Sequence, residues 1–300
     1  MIIPLIIKTL ATGSVYALLA SGLTLLFGVA HIVNLAHTGF FMVAAYGVFY
    51  LTSTRISRVD FVGPGWDVTL SILVTVAAVT LLGLLVYRFL INRVRQHPQV
   101  ILLMSIALAM AFQEIMRMTF GGHTRRILDP FVSGGTQILG ESISYQRLLI
   151  MGVAAAVMIA MWLILTKTKL GIAIRATAND AEIASLMGIS VPRTLLITMG
   201  IGTGLAAVAG VLTAASWVFT PYAWMTHLTT VLAIVVLGGL GSIKGSLIGA
   251  FIIAFVENLV ILRLPAYGYL STAFAMLVMI IILVVRPGGL FGTIFEEERL

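Results

Sequence analysis

The stretch FGVAHIVNLAHTGFF, residues 27–41, sets His31, Asn34, His37 and Thr38 into an otherwise apolar run. Imidazoles can ligate a metal, carry a proton or fix a backbone, and spacing decides among these roles. Were 31–38 helical, residues six apart would be rotated about 240° from one another. His31 and His37 could not then share one metal ion without ligands from elsewhere, so no metal site is expected. Each three apart, His31, Asn34 and His37 would instead trace a slanting polar ridge. Two roles fit such a ridge: a structural hinge satisfied by backbone and water, or the lining of a path through the protein.

Catalytic patterns are absent. None of His31, His37, His97, His123 or His227 is followed by Glu, so the zinc-hydrolase pattern His-Glu-x-x-His does not occur. The serine-hydrolase elbow Gly-x-Ser-x-Gly is missing too. No cysteine is present, which removes disulfide and thiolate chemistry. GSIKGS invites a phosphate-loop reading, but Lys244 precedes Gly245 where that loop needs the lysine after the glycine. Asp60, Asp67, Asp129 and Asp180 all fall in polar breaks between apolar runs. Glu114 and Glu257 lie inside apolar runs, each alone. A charge at membrane depth is costly and by default faces a bundle interior, a cavity or a partner. Arg117, at i+3, offers Glu114 an ion pair on one helix face, with a place on a transport path as the second reading. Glu257-Asn258 sits late in its run, at an interface, a partner contact or a functional position.

The elements that would carry these residues follow from composition. The chain is 60% hydrophobic and 10% charged, with a mean hydropathy of +1.11. A soluble domain runs near about 45–50% apolar and about 25% charged, so 300 residues of this composition cannot coat a water-soluble body. An all-α, polytopic membrane protein is expected, in contact with the lipid bilayer. Its net charge of +7 belongs to membrane-flanking loops, and with no basic run interleaved with aromatics, nucleic-acid binding is not expected. Apolar runs long enough to span lie at about 4–29, 35–52, 69–91, 99–119, 147–166, 194–215, 228–242, 246–263 and 270–286. Two of them, 35–52 and 228–242, are short, which leaves eight to ten spans, some discontinuous. The first run is too long for a signal peptide and reads as a retained span. Nine spans with the C-terminus inside place ten Lys and Arg in the cytoplasm and eight outside. The two densest short basic loops, 88–97 and 167–193, then share the cytoplasmic side.

Two runs share a design: 22–46, broken at His31–His37, and 228–255, broken at Gly238–Gly245. Interrupted apolar segments in both halves point to paired discontinuous helices and a possible internal inverted repeat. Gly241, Gly245 and Gly249, and likewise Gly200 and Gly204, recur at four-residue steps, which puts a groove for close helix packing on one face. In RATANDAEIASLMGISVPR, Asn179 or Asp180 can cap a helix, with Glu182 favoured in its first turn. Ile183, Leu186 and Met187 form an apolar edge at i, i+3, i+4, and Gly188 stops the helix. Such a helix is built to dock something, or to lie on lipid.

Glu182-Ile183-Ala184-Ser-Leu186-Met187-Gly188 resembles the Glu-Ala-Ala-x-x-x-Gly loop of ABC-importer permeases, with Ile183 departing from it. The wider RATANDAEIASLMGI, with GLTLLFGVAHIVNLAHTGFFMVAAY, VLGGLGSIKGSLIGAF and RPGGLFG, is similar to the branched-chain amino acid (Liv-type) permeases. Thr38, where many relatives carry Gly, is a departure. The resemblance implies one transmembrane permease domain over 1–300, in a bacterial cytoplasmic (inner) membrane, importing branched-chain or related small amino acids. It implies a second homologous permease subunit, two ATPase subunits that bind the ATP and Mg, and a periplasmic binding protein that hands over substrate. This chain would then carry no cofactor and no enzyme activity. By position, Ala178, Asn179, Asp180, Glu182, Ile183, Ala184, Leu186, Met187 and Gly188 would contact the ATPase, and His31, Asn34 and His37 would sit at or near the path. The competing class is a stand-alone channel or ion-coupled carrier, for which Glu114 is the candidate acid.

Overall fold

The computed structural model describes residues 2–30, 32–53, 64–127, 131–132, 134–138 and 141–291. His31, Arg55, Arg58, Asp60, Asp129 and Arg299 lie outside them. The described residues form an all-α bundle: α1 Ile2–Ala30, α2 His37–Thr52, α3 Val68–Phe89, α4 Pro98–Phe120, α5 Tyr145–Lys167, α6 Lys169–Asn179, α7 Ala181–Leu186, α8 Val191–Ala214, α9 Ala223–Gly238, α10 Ile243–Arg263 and α11 Ser271–Val285. Among the described residues, seven helices are long and apolar enough to cross a membrane. At 16 residues each, α2 and α9 reach about 24 Å at 1.5 Å per residue, short of a hydrocarbon core about 30 Å thick. The two runs that are short in the sequence are thus short helices in the fold.

Helix starts follow their local chemistry. Asp67 accepts the Thr69 N–H at 3.0 Å to begin α3, and Ser144 accepts the Gln146 N–H at 3.3 Å to begin α5. Pro98 and Pro192 occupy first turns, where a missing N–H costs little. Between α4 and α5 the polar segment carries a small antiparallel hairpin, β1 Gly135–Ile138 with β2 Glu141–Ser144. Composition had marked this segment only as a polar break.

Close contacts give the helix directions. α1 runs antiparallel to α10, with Tyr16 against Glu257 near one end and Thr24 against Ser246 further along. α3 runs antiparallel to α8 in the same way, with Gly83 at Thr203 and Thr80 at Gly204. α1 and α8, also antiparallel, cross where a Cβ on Gly22 would sit 2.9 Å from the Gly202 oxygen and one on Gly202 3.2 Å from the Gly22 oxygen. The set α1–α4 and the set α8–α11 therefore repeat one design in opposite directions: long helix, 16-residue helix, then two further helices. The first helix of each set packs on the third helix of the other. That reciprocal packing is the arrangement expected of an inverted repeat, while no residue-level repeat is visible in the sequence.

The core is α1, α2, α8, α9 and half of α10, while α3, α4, α5 and α11 leave apolar side chains exposed. The α9–α10 hairpin is the tightest contact. A Cβ on Gly245 would collide with the Gly238 carbonyl, and one on Gly249 would lie 3.0 Å from the Ile234 oxygen. Gly241 departs from the expected four-step groove. It stands in the turn between the two helices at φ +85°, facing Gly28 of α1, because the chain must reverse there before Gly245 can continue the face. Gly200 and Gly204 do lie on one face of α8, against Leu84 and Thr80 of α3.

Candidate functional site: a buried helix break and an exposed short helix

Residues 32–34 are non-helical, so the polar ridge expected for a helical 31–38 does not form. Irregular backbone at membrane depth survives only where protein satisfies it, and here three donors at the start of α2 have partners. The Leu35 N–H donates to Ser105 Oγ on α4 at 3.1 Å. The Ala36 N–H donates to Asn34 Oδ1 at 3.1 Å, and the His37 N–H to the Asn34 carbonyl at 3.2 Å. Asn34 thus builds the turn that starts α2.

His37, fully buried, places its ring against Gly22 and its Nε2 3.0 Å from the Leu19 carbonyl of α1. A carbonyl can only accept, so Nε2 carries the proton. At Gly22 a Cβ would lie 2.9 Å from the ring, which explains the glycine. Neither Asn34 nor His37 is exposed to a channel within this chain. The far end of α2 is held by aromatics, with Tyr46 5.1 Å from Phe120 and 5.0 Å from Phe219 between ring centres. Asn34→Ala removes the oxygen that satisfies a buried N–H, so it should cost about 2 kcal/mol, within the range for lost caps and orphaned donors. Asn34→Ser should recover most of this in thermal unfolding of the purified protein; equal loss in both variants would contradict the turn assignment.

Glu114 forms its ion pair with Arg117 on an exposed face of α4, with side chains 45% and 49% exposed. The i+3 pairing expected from the sequence is present. Glu114→Gln should leave substrate transport unchanged, whereas a coupling acid would be lost with its charge.

At the other polar stretch, Thr168 Oγ1 donates to the Ile164 carbonyl at 2.6 Å and accepts the Gly171 N–H at 3.1 Å. The Arg175 guanidinium donates to the Leu165 carbonyl, capping the end of α5. A Cβ on Gly171 would strike the same carbonyls, so α6 leaves α5 at a corner that only glycine fits. Sequence reasoning missed Gly171 and Arg175; their sole signal is a glycine and a cation just past an apolar run. α7 then follows at once. Of the two caps proposed, Asp180 serves, accepting the N–H groups of Glu182 at 2.8 Å and Ile183 at 2.9 Å. Asn179 is the last residue of α6. Gly188 at φ +83° ends α7, with its N–H on Ser185 and the Ile189 N–H on Ala184, a Schellman stop. Ala184 is buried against the bundle, while Ile183, Leu186 and Met187 are 59%, 81% and 79% exposed. Six residues make no stable helix alone; caps at both ends hold an apolar edge away from the body.

Residues 5–284 match the family described as branched-chain amino acid transport system / permease component. The chain belongs to that family. It is similar to the high-affinity branched-chain amino acid transport system permease protein LivH of Escherichia coli K12, 30% identical over 293 residues that cover 93% of this chain and 92% of that protein. It is also similar to the high-affinity branched-chain amino acid transport system permease protein BraD of Pseudomonas aeruginosa, 27% identical over 299 residues, 96% of this chain and 94% of that one. No solved structure matches it. The chain is thus a multi-pass permease component of the inner membrane. Membership in a transport-system permease family favours the importer subunit over a stand-alone channel or ion-coupled carrier.

Proposed function

We propose that the chain, as a single transmembrane domain, is one permease subunit of an ATP-driven importer for branched-chain or related small amino acids. A second homologous permease completes the path, a periplasmic binding protein delivers substrate, and two ATPase subunits hold ATP and Mg. This chain binds no cofactor and catalyses no reaction. The family match carries this reading, and the exposed edge of α7 gives the ATPase a place to sit.

Movement follows from how α7 is mounted. Displacing α7 moves α6, which Arg175 and Thr168 fasten to the end of α5 and which also packs on α1 and α8. α1 and α8 are the crossing pair of the inverted repeat, so a push there rocks one set of helices against the other, the usual route of alternating access in such repeats. Asn34 and His37 act as the hinge that keeps α2 attached to α1 during that motion. The test of substrate class is to keep this permease and its ATPases and exchange binding proteins of different specificity. ATP hydrolysis should accelerate with branched-chain amino acids when their receptor is present; acceleration only with receptors for unrelated solutes would overturn the substrate assignment.

A further inference from the structure

A polar cavity of about 180 Å³ opens at the end of the bundle opposite α7, among α1, α5, α8 and α10. Taking about 30 Å³ per water, it has room for roughly six waters, the size of a charged head group with a short stem. Lys8 and Arg147 both line it, and no Asp or Glu does. Among the described residues the single ion pair is Glu114–Arg117, so neither cation has a carboxylate partner there. Glu257, next to the lining residue Asn258, does not line it and accepts the Tyr16 hydroxyl at 2.8 Å. Ser216 also lines the cavity, but its Oγ is buried and does not face it. Two half-buried cations line one small space. Like charges that share a cleft repel, and an oxyanion between them reverses the sign.

We propose that this cavity binds an oxyanion head group, clamped by Lys8 and Arg147: the carboxylate of an arriving amino acid or the phosphate of a lipid. In the import reading this is the receiving face, where a cationic cleft draws carboxylates inward. The amino-acid source rests on that reading, while the oxyanion site does not.

The test uses the assembled transporter in phosphate-free maltoside detergent, acylating lysines with an N-hydroxysuccinimide ester and reading Lys8 by peptide mass spectrometry. The probes are 4-methylpentanoate, which has the leucine side chain and a carboxylate but no amine to consume the reagent, its amide, and inorganic phosphate; a parallel sample sits in phospholipid nanodiscs. The expected result is several-fold slower Lys8 labelling with 4-methylpentanoate and no slowing with the amide, with Lys244 at the opposite end unaffected. Arg147→Gln, checked for an unchanged melting temperature, should abolish the protection. Protection by phosphate and phospholipid alone would support the oxyanion site and assign it to lipid, leaving the import reading untouched. Lys8 labelling indifferent to every oxyanion in the unsubstituted protein would overturn the proposal.

Discussion

Replacing Leu186 and Met187 of α7 together by Asp should abolish co-purification of the ATPase subunits while leaving the permease itself folded. Both side chains are about four-fifths exposed and lie outside the hydrogen bonds that build α7. Nothing in the isolated chain depends on them, so its melting temperature should not move. In the proposed complex the same side chains enter an apolar cleft, where an unpartnered buried carboxylate costs on the order of 3–5 kcal/mol. At about 1.4 kcal/mol per tenfold, two of them weaken docking by more than a thousandfold. Gly188→Val should act on the same surface by a different route. It forces a β-branched residue to φ +83°, misplacing the stop that fixes the exposed edge. Unchanged association and unchanged substrate-stimulated hydrolysis in the double variant would remove α7 from the docking role.

Gly245→Val should prevent the permease from folding at all. The α9–α10 hairpin brings two backbones together with no side chain between them. A Cβ on Gly245 would fall on the Gly238 carbonyl group, and one on Gly238 on the Gly245–Ser246 peptide. Neither obstacle is the flexible end of a side chain that could swing aside. The strain spreads further, because the carbonyls of Leu237 and Gly238 also accept the N–H groups of Leu290 at 2.8 Å and Phe291 at 3.1 Å. Separating α10 from α9 therefore loosens the segment that follows α11 as well. Overpacking alone costs about 1–3 kcal/mol, and with the lost backbone pairing the total approaches the roughly 5–15 kcal/mol that stabilises a typical fold. Gly152→Val provides the contrast, since no atom lies within 4 Å of a Cβ there. Membrane yield and thermal unfolding should show loss of the folded Gly245 variant beside a normal Gly152 variant; equal yields would contradict the close approach.

The spans, the two short helices and the start and stop of α7 are readable from sequence because each rests on local chemistry: apolar run length, a capping Asp, a glycine at positive φ. The break after residue 30 was readable as a break. Its internal wiring was not, because the partners of His37 and Leu35 lie at Leu19 and Ser105, 18 and 70 positions away. In lipid, a residue facing another helix and one facing the bilayer are both apolar, so periodicity does not say which helices touch. That is why the reciprocal packing of α1 on α10 and α3 on α8 emerged only from contacts. Gly241 shows the limit of spacing, since a four-residue step looks the same in a helix and across a turn.

Uptake of labelled leucine into proteoliposomes holding this chain, its partner permease and the ATPases tests the central claim most directly, with the binding protein supplied on the outer face. Uptake should require ATP inside, require the binding protein, collapse with the Leu186 and Met187 double substitution, and persist when proton and sodium gradients are dissipated. Leucine entry through this chain without the ATPases, driven by an ion gradient, would contradict it.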